Sequence, residues 1–219
     1  MIWLVIGLFS EGSTDSRFLP QIIYRHTLDL IQVGGKQNVQ LQEDPILLPG
    51  TINGERAARM CSEARAIDLF VVHADAAANA RMRILETMIE DIKEIASRQC
   101  GLGKHRIVPL LPCREMESWA LTDPDAIARA CGFDAWPSNI VRPWNPDRAE
   151  SLNDPKAILR DAVKTLHSRT RQRRLPQIGD ILERIGTDID LNRLSRAESF
   201  KEFSSDLEAS LKNLEILGS

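Results

Sequence analysis

Three short apolar runs restrict what this chain can fold into more than any other feature. They are "IWLVIGLF" (residues 2–9), "IDLFVVH" (67–73) and "HRIVPLLP" (105–112). Runs that are apolar throughout, and not at alternate positions, suit strands covered on both faces. Between them, "TDSRFLPQIIYRHTLDLIQ", "NGERAARMCSEARA" and "ARMRILETMIEDIKEIASRQ" carry helical patterns. In the first, Phe18, Ile22 and Leu28 suggest an apolar face, Ser13 or Thr14 is placed to cap, and Pro20 must sit in the first turns. Shorter extended pieces are expected around "QNVQLQ" and "PILLPG". The alternation predicts an α/β core over residues 1–125, with a mainly parallel sheet flanked by helices.

The character changes after Asp123. "FDAWPSNIVRPWNPDRAESLNDP" holds four prolines and two tryptophans, which predicts a long ordered loop. Helical patterns follow in "KAILRDAVKTLHSR", "PQIGDILERIG" and "SFKEFSSDLEASLKNLEIL". Residues 126–219 therefore read as a loop plus a C-terminal helical cap packed on the core.

No apolar run is long enough to cross a bilayer, and the N-terminal one lacks the basic start and small-residue cleavage site of a signal peptide. The expectation is a soluble, cytoplasmic protein with no membrane partner. Cys61, Cys100, Cys113 and Cys131 show no CxxC pairing, so reduced thiols are expected instead of a disulfide frame or a zinc site. A net charge of −3 gives no general affinity for nucleic acid. Residues 160–174, however, hold six Lys or Arg against one Asp. Arg171, Arg173 and Arg174 are candidates to track a phosphate backbone, the alternative being a solvated helix end.

In an open parallel sheet, ligands sit beyond the C-terminal ends of the strands. The first run leads into Glu11, the second into Asp75 and the third into Glu115 and Glu117. Carboxylates gathered at one edge repel one another, and a hard divalent cation with oxygen ligands is their usual partner. Singly, each acid reads as a helix cap or a solvated loop charge; together they point to a site. Gly12 supplies a tight turn or lets a phosphate approach the backbone. His73 either orients the acids or is a satisfied core residue. Trp119, Trp136 and Trp144 suit packing between core and cap better than base stacking. Cys113 has no histidine and acid beside it to make it a nucleophile.

"EGSTDSRFL", "VVHAD" and "EMESWALTD", in that order, resemble a Toprim-related family labelled domain of unknown function 4276. "IGTDIDLNRLSRAESFKEFSSDL" resembles that family's closing helical segment. The resemblance implies a Toprim-like fold and bound magnesium or manganese. It also implies kinship with OLD-type nucleases and with effectors that accompany ABC-type ATPases in phage defence. Glu11 would then be the general acid/base and Asp75 the first metal ligand, while Glu117, Trp119 and Asp123 match "E-x-W-x-x-x-D". The second acid of Asp-x-Asp would fall at Ala77, which implies one ion held better than two. Glu115 and Glu117 can compensate, both if they lie on an extended stretch, or one if they lie about 200° apart on a helix.

The expected function is that of a metal-dependent nuclease-like effector acting on DNA or RNA with an ATPase partner. Asp75 and Glu117 would bind Mg2+ or Mn2+, with Glu11 and Glu115 as further candidate ligands, and Glu11 would move a proton. The alternatives are a weakened Toprim-like module that binds without cutting, favoured by Ala77, and a small-molecule phosphohydrolase.

Overall fold

The computed structural model describes residues 1–36, 38–76, 81–170 and 174–218. Ala77, Arg171 and Arg173 lie outside them. The first apolar run makes two strands where one was expected, β1 (Ile2–Leu4) and β2 (Ile6–Phe9). The break falls at Val5, whose N–H donates to Asp68 Oδ2 at 2.8 Å and whose carbonyl accepts from the amides of Asp68 and Leu69. There the chain passes between sheets. In parallel fashion, β1 pairs with β3 (Val39–Leu41), and β2 pairs with β4 (Ile46–Leu47) and β5 (Leu69–His73).

Helices α1 (Asp15–Gly34) and α2 (Asn53–Glu63) connect these strands. The single helix expected after β5 is divided into α3 (Arg81–Ile84), a π-helical turn (Leu85–Ile89) and α4 (Glu90–Cys100). It leads to β6 (Ile107–Leu110). The order of the larger sheet is β4-β2-β5-β6, with parallel pairing throughout.

The strands alternate their side chains between two apolar layers, as a period of two requires. Ile6, Leu8, Leu69, Val71, Val108 and Leu110 join one cluster; Phe9, Phe70, Val72 and Ile107 join the other. The second layer is closed by Ala57 and Met60 of α2 and by Ile92 and Ala96 of α4. The first is closed by α1 together with the C-terminal helices: α5 (Glu117–Ala120), α6 (Pro124–Ala130), α7 (Pro155–His167), α8 (Ile178–Asp188), α9 (Leu191–Leu194) and α10 (Glu198–Asn213). The C-terminal helices thus share a core with the sheet. Trp119 is fully buried there, donating to Ser199 Oγ at 2.8 Å and meeting Phe200 edge-on at 5.2 Å.

The edge strand β6 contains Pro109, which has no amide to donate, and α10 packs on it. The proline-rich loop is ordered by its own bonds. Trp144 donates to the Leu121 carbonyl at 3.0 Å, and Glu150 accepts from the amide of Glu198 at the start of α10.

One expectation about the cysteines is overturned. Cys61 and Cys100 form a disulfide, and only Cys113 and Cys131 are free. The pair is 39 residues apart with no motif to mark it; packing of α2 on α4 brings the two Cα atoms to 5.7 Å.

Contact between α1 and α8 depends on Gly186. A Cβ there would stand 2.5 Å from the Phe18 carbonyl oxygen, which belongs to helix backbone and cannot move aside cheaply. Gly186→Ala should therefore destabilise the protein by about 2 kcal/mol, despite alanine's better helix propensity. Urea unfolding measures this. An unchanged or higher midpoint would mean that the two helices can separate without cost.

Candidate active site

Because β2, β5 and β6 run parallel and adjacent, the residues that follow them emerge along one edge. The order β4-β2-β5-β6 places a topological switch point between β2 and β5, where connections leave in opposite directions. The helix after β2 begins there. Asp15 reaches back to accept the Gly12 amide on Oδ2 at 2.7 Å, in the manner of a capping box. The expected hydroxyl cap from Ser13 or Thr14 is replaced by this carboxylate, since Thr14 at the N-cap makes no side-chain bond. Gly12 leaves room for it, as a Cβ there would stand 3.1 Å from Asp15 Oδ2.

Asp15 so held faces His73, the last residue of β5. The His73 Nδ1 lies 3.6 Å from Asp15 Oδ2, and Nε2 lies 3.4 Å from Asp75 Oδ1. The imidazole is fully buried between two carboxylates, and neither nitrogen has a hydrogen-bond partner. Both separations are long for a hydrogen bond, so the ring is positioned but not satisfied. Asp75 is partly exposed, which opens one side of the arrangement to solvent.

From the turn after β6 comes Glu117, the first residue of α5. It is 2% exposed and its Oε1 has no hydrogen-bond partner. Lys156 Nζ, from the first turn of α7, is 3.9 Å from that oxygen. Burial raises the Glu117 pKa above its ordinary value; Lys156 opposes the rise, and Glu115 and Asp75 add to it. The Asp15 pKa is also raised, first by burial, with His73, the Gly12 amide and Lys156 opposing and Asp75 reinforcing. Asp15, His73, Asp75, Glu117 and Lys156 are therefore one electrostatic group.

The other expected site residues fall differently. Glu11 is exposed at the same edge, with its charge acting on Arg56 of α2. Glu115 accepts the Lys156 amide on Oε2 at 3.3 Å and so helps to start α7. Glu115 and Glu117 thus differ in burial: Glu115 is half-buried, whereas the Glu117 Oε1 is buried without a hydrogen-bond partner. Among the described residues, no three His, Cys, Asp or Glu side chains are grouped as a metal site. Arg174 is exposed. A hollow of about 700 Å³ involves Trp136, Arg142, Arg193 and Arg196 and none of the acidic group.

Asp15 and Lys156 are absent from the sequence-derived set. Asp15 had a legible signal in "GSTD", a glycine followed three residues later by an acid at a helix start. Lys156 had none, because it arrives from a helix about forty residues further along.

Asp123, matched above to a family motif, serves the architecture. It is 1% exposed, caps α6 through the amides of Asp125 and Ala126, accepts the Asp190 amide, and pairs with Arg193 at 2.7 Å.

These features define a class: a doubly wound parallel α/β domain with a buried histidine and converging carboxylates at its switch point. Within it, the chain belongs to the family described as Domain of unknown function (DUF4276), which matches residues 10–208. No curated protein and no solved structure matches the chain.

Proposed function

We propose that this edge is a phosphoryl-transfer site cutting phosphodiesters, in a Toprim-like domain that serves as a nuclease effector beside an ABC-type ATPase in phage defence. The observation that carries the reading is the buried Glu117 oxygen without a hydrogen-bond partner, at the edge that Asp75 and His73 also reach. A buried polar atom left unpaired is costly and suits a ligand. A partly desolvated carboxylate pair, Asp75 and Glu117, fits a hard cation. Magnesium or manganese held there would supply positive charge to a phosphodiester oxygen and make water more acidic.

The chain's own groups have separate tasks. Asp15 Oδ2, 3.6 Å from His73 Nδ1, favours positive charge on the ring. His73 is buried behind Asp75, with Nε2 3.4 Å from Oδ1, and acts on the reacting centre through that carboxylate. Glu11, exposed on the same edge, is the group free to move a proton at an incoming or leaving oxygen. Lys156 offsets the negative charge of the acids.

The test is cleavage of plasmid, single-stranded DNA and tRNA with magnesium or manganese, with and without the ATPase partner. Metal-dependent cleavage should fall about 10³-fold in Asp75→Asn, the scale of losing metal charge and proton transfer together. Cleavage that survives both Asp75→Asn and Glu117→Gln would reject the site. Nucleic-acid binding with no cutting under any condition would favour the non-cleaving module that Ala77 suggests.

A further inference from the structure

Arg114 stands in the turn after β6 with a backbone φ of +67°, left-handed for a residue that is not glycine. Side chains adopt that region rarely, and where they do the surroundings must hold them. Here the hold is visible. The Arg114 amide donates to the Ala76 carbonyl, and Cys113 bridges Ala76 in parallel fashion. The arginine is thereby pinned beside the residue that follows Asp75.

The guanidinium has little to do within the fold. Of its five N–H donors, one Nη2 bond, to Asn153 Oδ1, is formed among the described residues, and at 3.3 Å it is long. Its Nε is buried and has no hydrogen-bond partner. Three residues beyond Asn153 stands Lys156, whose Nζ lies 3.9 Å from Glu117 Oε1, too far for a hydrogen bond. The amides at the start of α7 are already engaged, that of Lys156 by Glu115 and that of Ala157 by Asp154, so a ligand there would be met by side chains. Two underused cations thus flank the seam between the post-β6 turn and α7, on the border of an otherwise anionic edge.

We propose that Arg114 and Lys156 form a phosphate subsite that binds a phosphodiester oxyanion of the substrate and seats its backbone against the acidic group. The assignment rests on the phosphoryl-transfer reading above but adds a ligand and two residues to it. Chemistry favours the pairing. An arginine fork binds two phosphate oxygens at once, and a lysine adds a mobile point charge. Without such cations, an edge built of Asp15, Asp75, Glu115 and Glu117 would repel the very backbone it must approach.

The experiment measures binding of a labelled single-stranded oligonucleotide by anisotropy, in chelator, over a series of salt concentrations. Arg114→Gln and Lys156→Gln should each weaken binding about tenfold at low salt, the scale of one charge-assisted hydrogen bond. Each should also flatten the log–log salt slope by about 0.7, the value for one phosphate contact on a single strand. Arg114→Gly guards against misfolding: glycine accepts φ +67° freely, so this variant should melt no lower than the parent yet bind as weakly as Arg114→Gln. Inorganic phosphate serves as competitor. Displacement of the oligonucleotide from the parent but not from Arg114→Gly assigns the subsite to the phosphate group itself.

Unchanged affinity and slope in all three variants would overturn the proposal, as would a parent chain that binds neither probe. The outcome is separable from that of the nuclease reading. Oligonucleotide bound through Arg114 and Lys156 but never cut would keep the subsite and remove the enzyme. Metal-dependent cutting with unaltered variants would do the reverse.

Discussion

Asp123→Ala is expected to destabilise the protein by about 3 kcal/mol, the sum of a lost helix cap and a lost charge-assisted bond. The carboxylate is buried and its two oxygens serve three backbone amides and Arg193. One of those amides, Asp190, belongs to the connection between α8 and α9, so the loss would loosen α6 and that connection together. Arg193 retains Asp125 at 2.8 Å, which keeps the cost below that of stranding a buried charge. Asp123→Asn keeps an acceptor for the cap and should recover about half the loss. Chemical denaturation reads both values. Any activity per folded molecule should be unchanged, since Asp123 is tied into structure; a rate that fell while stability held would move it into the site.

Glu117→Gln is expected to act in opposite directions on stability and rate. In the apo protein the carboxyl is buried with one oxygen unpartnered, and burial raises its pKa. The folded state therefore binds this proton more tightly than the unfolded chain, whose glutamate titrates near about 4.3. Between the two pKa values the folded protein holds more proton, so stability falls as pH rises through that window. Above it the penalty is constant. Glutamine never ionises, so Glu117→Gln should melt higher than the parent at neutral pH, by a few degrees, and the difference should close as pH drops below about 4. Asp15→Asn should follow the same direction, because its pKa is raised by the same cause and asparagine retains the acceptor for Gly12. Metal-dependent cleavage by Glu117→Gln should meanwhile drop about 10²–10³-fold. Added magnesium should raise the melting temperature of the parent and not of the variant. A variant that melts lower at pH 7 would show that this carboxylate is not strained by burial, and one that still gains from magnesium would show that it is not a needed ligand.

Much of the fold was legible in one dimension, because burial on two faces leaves a mark in every residue. Val71 and Val72 point to opposite layers and both are apolar, as a doubly covered strand demands. Helices α7, α8 and α10 were legible from their spacing, whereas the shorter α5, α6 and α9 were not. That the residues after β2, β5 and β6 emerge at one edge was legible, because parallel strands deliver their following residues to one side. Their separate fates were not. Glu115 and Glu117 look alike in "REMES", yet one is spent on the start of α7 and the other is buried with a free oxygen. That distinction belongs to α7, which packs on α5 from about forty residues away.

The same reason accounts for the other misplacements. Pairing of Cys61 with Cys100 needs α2 and α4 to lie side by side, and the sequence holds no spacing rule for that. Division of the first strand at Val5 depends on Asp68, which reaches it only after an intervening helix pair has turned the chain back. What the sequence by itself determined was the local preference of each segment and the side of the sheet from which its acids emerge, since both follow from near-neighbour geometry. Tertiary structure alone decided which of those acids keep their water. Desolvation depends on every element packed around a group, and Asp15, His73 and Glu117 owe their burial to helices contributed by the whole length of the chain.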